Sequence, residues 1–184
     1  MRVISGTARG TKLNSIEELS TRPTLDRVKE PLFSIIQTYI ENANVLDLFA
    51  GSGALGIEAL SRGAQRCVFC DKSYKAIRMI KENISKTKMQ EKSTIINTDY
   101  KKCILNLNEK FDIIFIDPPY KNDIAIASIK QIIKNNLLAK DGIIILETDE
   151  EEREENGLKN IEELEIYDKR KYGRVRLLFL HERG

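Results

Sequence analysis

The chain has 184 residues, 41% of them apolar and 32% charged, with a formal net charge of +2. That composition can fill a core and excludes a disordered chain; the length fits one domain, or one domain with appendages. No apolar run approaches the ~20 residues that a membrane span needs, and the start "MRVISGTARG" lacks a signal-peptide core, so the expected location is cytoplasmic.

In chain order, residues 1–22 read as an extended region in which "RVIS" and "TKLN" flank "GTARG" as a hairpin. "RPTLDRVKEPLFSIIQTYI" reads as a helix capped by Thr24. Leu25, Val28, Leu32, Ile35, Ile36 and Tyr39 fall at helical spacing, and a kink or break is expected at Pro31. From residue 43 short apolar strands alternate with amphipathic helices. Strands are expected at 43–49, 66–71, 93–99, 111–117 and 142–148, and helices near 54–62, 73–88, 100–107 and 123–138. This alternation implies an α/β fold with a doubly wound parallel sheet and helices on both faces. The acidic run 149–155, "DEEEREE", reads as a solvated helix start. After residue 158, two strands near 161–168 and 174–181 turn at Gly173 and close the sheet with an antiparallel pair.

Cys67, Cys70 and Cys103 make no disulfide framework. Cys67 and Cys70 share one expected strand, point to opposite faces and read as buried structural thiols. No metal site is expected. The lone histidine, His181, reads as a surface residue.

In doubly wound sheets the ligand lies beyond the C-terminal ends of the strands. That rule marks Asp47, Asp71, Asp99, Asp117 and Glu147. Gly51-x-Gly53-x-x-Gly56 stands between a strand and a helix, with Asp71 twenty residues after Gly51. This is the dinucleotide fingerprint, and it admits a nicotinamide cofactor. Asp47 argues against one, because a carboxylate feeding the loop repels a pyrophosphate and suits a cation. S-adenosylmethionine carries a sulfonium and an ammonium, no phosphate, and an adenosine ribose. The expected donor site is Asp47, Gly51 and Gly53, with Asp71 on the ribose hydroxyls and Asp99 on the adenine amino group. Phe49, Lys72 and Tyr100 stand beside them.

The stretch "FDIIFIDPPYK" ends an apolar strand with Asp117, Pro118, Pro119 and Tyr120. An exocyclic amine on a nucleobase is a poor nucleophile, because its lone pair is delocalised into the ring. Two acceptors on its two N–H groups aim that lone pair. Asp117 supplies a carboxylate and Pro118 a carbonyl. The prolines fix both before substrate arrives. Tyr120 offers a face on which an extruded base stacks.

Charge collects at both ends. Arg2, Arg9, Lys12, Arg22, Arg27 and Lys29 lie near the start, and Lys169, Arg170, Lys171, Arg174 and Arg176 near the finish. Such clusters on a near-neutral protein suggest a local surface for polyanions.

Asp117-Pro118-Pro119-Tyr120 resembles the D/N-P-P-Y/F/W motif of amino-group methyltransferases. More closely, "RVISGTARGTKL", "RPTLDRVKEPLF", "LDLFAGSGALGIEALSRGA", "FIDPPY" and "KYGRVRLLF" resemble the bacterial 16S rRNA guanine-966 N2-methyltransferase family, in order and over nearly the whole chain. The resemblance implies a seven-stranded Rossmann-like methyltransferase sheet over 41–184, with an antiparallel C-terminal edge and a hairpin-and-helix extension over 1–40. It implies S-adenosylmethionine as donor and a guanine N2 of 16S rRNA, free or in a small-subunit assembly particle, as acceptor. A monomer is the expected state. Arg22, Thr24 and Arg27 are candidates to close over the site or touch RNA, as are Arg170, Lys171, Arg174 and Arg176. Two alternatives stay open. A DNA adenine-N6 methyltransferase shares the DPPY logic but needs a DNA-reading insertion. A non-catalytic rRNA-binding assembly factor needs neither Asp117 nor the glycines.

Overall fold

A computed structural model describes residues 1–15, 24–119 and 123–184, with the side chains of 24–26 left aside. The elements are α1 (Thr24–Ile35), α2 (Gln37–Ile40), β1 (Asn44–Asp47), α3 (Ala54–Ser61), β2 (Arg66–Asp71), α4 (Tyr74–Thr87), β3 (Ser93–Asn97), α5 (Tyr100–Asn106), β4 (Phe111–Ile116), α6 (Ile124–Lys134), β5 (Leu138–Thr148), α7 (Glu151–Leu158), β6 (Leu164–Tyr172) and β7 (Val175–Glu182).

The strands form one seven-stranded sheet in the order β3-β2-β1-β4-β5-β7-β6. β1 to β5 run parallel, and β7 pairs antiparallel with both β5 and β6. The closing pair therefore finishes the sheet as expected, with the last strand in sequence lying inside β6. Alternate residues feed two cores. Val45, Phe69, Phe115 and Ile145 pack with α1, α3 and α4 on one face; Leu46, Val68, Ile116 and Leu146 pack with α5, α6 and α7 on the other. Cys67 belongs to the first layer and Cys70 and Cys103 to the second, and all three are buried and free.

Several boundaries differ from the sequence expectation: β1 is shorter (Asn44–Asp47 for 43–49), β6 comes later (Leu164–Tyr172 for 161–168), and two further differences have a clear cause. α1 runs through Pro31, and the break comes at Ile36. Losing one backbone donor does not outweigh the burial of Val28, Leu32, Phe33 and Ile36. α6 stops at Lys134, where Asn136 turns the chain with φ 55°, and β5 begins early at Leu138. The ladder then shifts register between Phe111 and Ile113, so Ile143 to Leu146 continue the pairing.

The N-terminal residues dock on α3 rather than standing apart. A single antiparallel bridge, Arg2 to Lys12, closes the expected hairpin. Val3, Ala8 and Leu13 are buried in the same core as α1 and α3. Gly6, at φ +85°, lies so close to α3 that a Cβ would stand 1.7 Å from the Ser61 carbonyl oxygen. Beside it Glu58 is fully buried. It accepts the Ile4 and Ser5 backbone N–H groups (2.9 and 3.0 Å) and the Arg62 Nε (2.8 Å), and it pairs with Lys29 Nζ at 3.2 Å. Lys29, read from sequence as surface charge, is only 1% exposed and also donates to the Arg2 carbonyl at 2.6 Å.

Candidate active site

The strand ends converge as the sheet parity dictates. Asp47 pairs in register with Phe69 on one side and Phe115 on the other. Asp71 and Asp117 stand two residues beyond those partners. They flank the chain leaving β1 at one height, with Asp47 one pleat deeper on the same face. A cavity of about 550 Å³ opens there. Asp47, Phe49, Gly51, Asp71, Lys72, Asp99, Tyr100, Asp117, Pro118 and Pro119, ten of the expected residues, line it.

The glycines divide the work. Gly51 (φ 56°) and Gly53 (φ 78°) sit in the left-handed region, and Gly53 caps α3. Gly53 is absent from the cavity wall; its part is the turn. At Gly56 a Cβ would stand 2.3 Å from Phe69 Cε1 and 2.6 Å from Cys67 Sγ, so this glycine lets α3 press onto β2.

The carboxylates are held by backbone donors. Asp71 accepts Gly51 N–H at 2.9 Å on one oxygen and Ser73 N–H at 2.8 Å on the other. Each oxygen keeps acceptor capacity for a ligand. Asp99 caps α5 through the Lys101 N–H at 2.9 Å and is exposed. Asp47 is 3% exposed and accepts the Gly56 N–H at 3.1 Å. Burial pushes its carboxyl up to about 7; the Gly56 bond opposes this, and the charges of Asp117 and Asp71 add to it. The site therefore concentrates negative charge.

Sequence reasoning missed part of the wall. Ser52, Ser73, Thr98 and Ile124 line it between expected residues. Met1 and Ser15 line it from the N-terminal segment. Asn83 of α4 explains their presence. It is fully buried, accepts the Asn14 N–H at 2.7 Å, and donates to the Asn14 and Ser52 carbonyls at 3.0 and 2.9 Å. No local pattern marks that link, since 69 residues separate Asn83 from Asn14.

Of the remaining candidates, Arg22 and Tyr120 fall outside the described residues, and so does the Thr24 side chain. Arg27 is exposed on α1. The C-terminal cluster is partly engaged. Arg176 donates to Glu151 at 2.9 Å and to the Gly173 carbonyl, Lys169 pairs with Glu151 and Glu155, and Arg170 pairs with Asp168 at 3.0 Å. The acidic run thus forms a helix start that is tied to β6 and β7 rather than merely solvated. Lys171 and Arg174 are exposed. His181 lies at the surface against Glu165, 2.8 Å away. Among the described residues no group of acidic, His or Cys side chains could hold a metal, and no helix is long and apolar enough to cross a membrane.

Residues 1–181 match the family described as Conserved hypothetical protein 95. The chain belongs to this family. Its relatives include the Bacillus subtilis protein YlbH, 37% identical over 187 residues that span all of both chains. They also include the Haemophilus influenzae protein named Ribosomal RNA small subunit methyltransferase D, 37% identical over 155 residues, 82% of this chain and 80% of its own. Among solved structures, Escherichia coli yhhF superposes with a TM-score of 0.86 at 28% identity, covering 99% of this chain and 97% of its own. The family resemblance read from the motifs holds across the chain, and the expected seven-stranded methyltransferase sheet is the one observed.

Proposed function

We propose that this chain is an rRNA methyltransferase that moves a methyl group from S-adenosylmethionine to the exocyclic N2 amine of a guanine in 16S rRNA. The rRNA substrate follows from relatives named Ribosomal RNA small subunit methyltransferase D. One observation carries the chemistry: Asp117, Pro118 and Pro119 share a cavity with Asp47, Asp71 and the glycine loop.

The cavity suits this donor. Three carboxylates close enough for Asp117 and Asp71 to disfavour the charge on Asp47 favour a sulfonium and an ammonium and repel a pyrophosphate. Asp71 would take the ribose hydroxyls, Asp99 the adenine amino group, and Phe49 and Tyr100, with ring centroids 5.6 Å apart, an apolar wall beside them. When bound, S-adenosylmethionine supplies an electrophilic methyl. The Asp117 carboxylate and the Pro118 carbonyl accept the two amine N–H groups and aim the nitrogen lone pair. The two prolines hold these acceptors without ordering at the moment of reaction. The methylated nitrogen then gives its proton to water. Tyr120 is assigned to stack on the extruded base. The protein acts as a monomer on free rRNA or a small-subunit particle.

Incubation of the protein with labelled S-adenosylmethionine and small-subunit RNA from a strain lacking it, followed by nucleoside mass analysis, tests this reading. N2-methylguanosine is the expected product. N6-methyladenosine, or RNA binding with no transfer, would overturn it in favour of the adenine enzyme or the assembly factor.

A further inference from the structure

Two helices begin at the rim of the cavity. Lys72 and Ser73, just before α4, line it, as do Thr98, Asp99 and Tyr100 at the start of α5. The helix dipole favours acids in a first turn. α4 has none there, and in α5 the only acid at this end is the cap itself, Asp99. Their first turns carry Tyr74 with Lys75, and Lys101 with Lys102, all exposed. α7, none of whose residues lines the cavity, follows the rule with Glu151, Glu152 and Glu154.

The two first turns are held side by side. Thr98 N–H and the Asn97 side chain both donate to the Asp71 carbonyl, at 3.1 and 3.0 Å. Tyr74 is 83% exposed, an unusual position for a large ring. Lys101 Nζ stands 5.9 Å from the Tyr100 ring centroid, and Tyr100 packs on Phe49 in the cavity wall. Lys75, Lys101 and Lys102 have no ion pair among the described residues, whereas Lys169, Arg170 and Arg176 at the C-terminal end are paired with Glu151, Glu155 and Asp168.

We propose that Tyr74, Lys75, Lys101 and Lys102 form the docking surface for the single-stranded RNA flanking the target nucleotide. The inference rests on the rRNA reading above. A base drawn into the cavity leaves its neighbours unpaired. Their phosphates meet the three lysines, and one neighbouring base stacks on Tyr74.

The test measures methyl transfer and RNA binding across a salt series for the wild type, Tyr74→Ala, the triple variant Lys75→Ala, Lys101→Ala, Lys102→Ala, and the double variant Lys171→Ala, Arg174→Ala. Tyr74→Ala should raise the KM for RNA about tenfold while the Kd for S-adenosylmethionine and the melting temperature stay at wild-type values. The triple variant should flatten the slope of log affinity against log salt by roughly two. Wild-type KM and slope in both variants, or a slope that falls only in the double variant, would overturn the proposal. A wild-type protein that neither binds RNA nor transfers methyl would sink the functional reading itself, a distinct result.

Discussion

The Gly56 backbone N–H donates to Asp47 Oδ2 across 3.1 Å, tying the end of β1 to the first turn of α3. Asp47 is therefore a structural acceptor of the glycine loop as well as part of the donor site. Its carboxyl is buried beside two other acids and titrates near 7 instead of 3.8. Between those values the unfolded chain carries the charge and the folded one holds a proton, so stability falls as pH rises through this window. The penalty is complete above about 7 and absent below about 3.8.

Asp47→Asn removes that penalty and keeps an oxygen for Gly56. It should stabilise the protein by about 2–4 kcal/mol at about pH 8 and change it little at about pH 4. Donor affinity should drop in the same variant, because a cation loses its counter-charge. In the wild type, donor affinity should rise with pH through about 7, as Asp47 ionises. Thermal melts and calorimetry at several pH values read both effects. An equal melting gain at all pH values would show that Asp47 is not titrating there.

Lys29 and Glu58 predict an asymmetry. Glu58 has four partners, Lys29 Nζ, Arg62 Nε and two backbone N–H groups. Lys29 has Glu58 and the Arg2 carbonyl. Glu58→Leu strands a buried ammonium and two backbone donors, and should cost about 3–5 kcal/mol. Lys29→Met leaves Glu58 neutralised by Arg62 and should cost clearly less. Urea unfolding of both variants checks the order. Hydrogen exchange should also show residues 1–13 opening in Glu58→Leu and not in Lys29→Met.

Much of this fold was legible because the period-two and period-3.6 patterns change at glycines and acids. Strand ends could be placed within a few residues, and strand ends are where the site lies. What was not legible depended on distant partners. Lys29 read as surface charge because its partner, Glu58, sits on α3, all eight of whose residues are buried. Arg176, a candidate to touch RNA, is tied to Glu151, and that tie is invisible in sequence because Glu151 lies 25 residues earlier on another element. Pro31 read as a break because a missing donor is visible in sequence, whereas the apolar face that holds α1 together becomes decisive only once it is packed.

Asn83 gives a prediction that separates binding from folding. Asn83→Leu leaves the Ser52 and Asn14 backbone groups unpaired in a buried place, at about 1–3 kcal/mol each. Ser52 and Ser15 line the cavity, so donor Kd should rise along with the loss of stability. Asn83→Asp keeps the acceptor for Asn14 N–H but turns a buried carboxylate oxygen on the Asn14 and Ser52 carbonyls, so it should cost at least as much as Leu. Calorimetry with S-adenosylmethionine at a temperature where all three proteins are folded decides it. Unchanged Kd in Asn83→Leu would make this residue a clamp for the fold alone.

The sharpest test concerns Asp117, where β4 ends against two prolines. If its carboxylate holds an amine, Asp117→Ala should remove most methyl transfer, on the order of a hundredfold or more, and leave donor binding nearly intact. Asp117→Asn should retain part of the activity. Its amide oxygen still accepts one N–H bond, and the motif that this strand end resembles admits Asn. A general-base role would make the Asn variant nearly as dead as Ala, because an amide takes up no proton near neutral pH. Tyr120→Phe should be mild and Tyr120→Ala severe, since stacking needs the ring and not the hydroxyl; losing it costs about 1–3 kcal/mol. Single-turnover transfer of labelled methyl to small-subunit RNA, run on all four variants, separates these outcomes. Wild-type transfer by Asp117→Ala would reduce this strand end to a turn and move the chemistry to another part of the cavity.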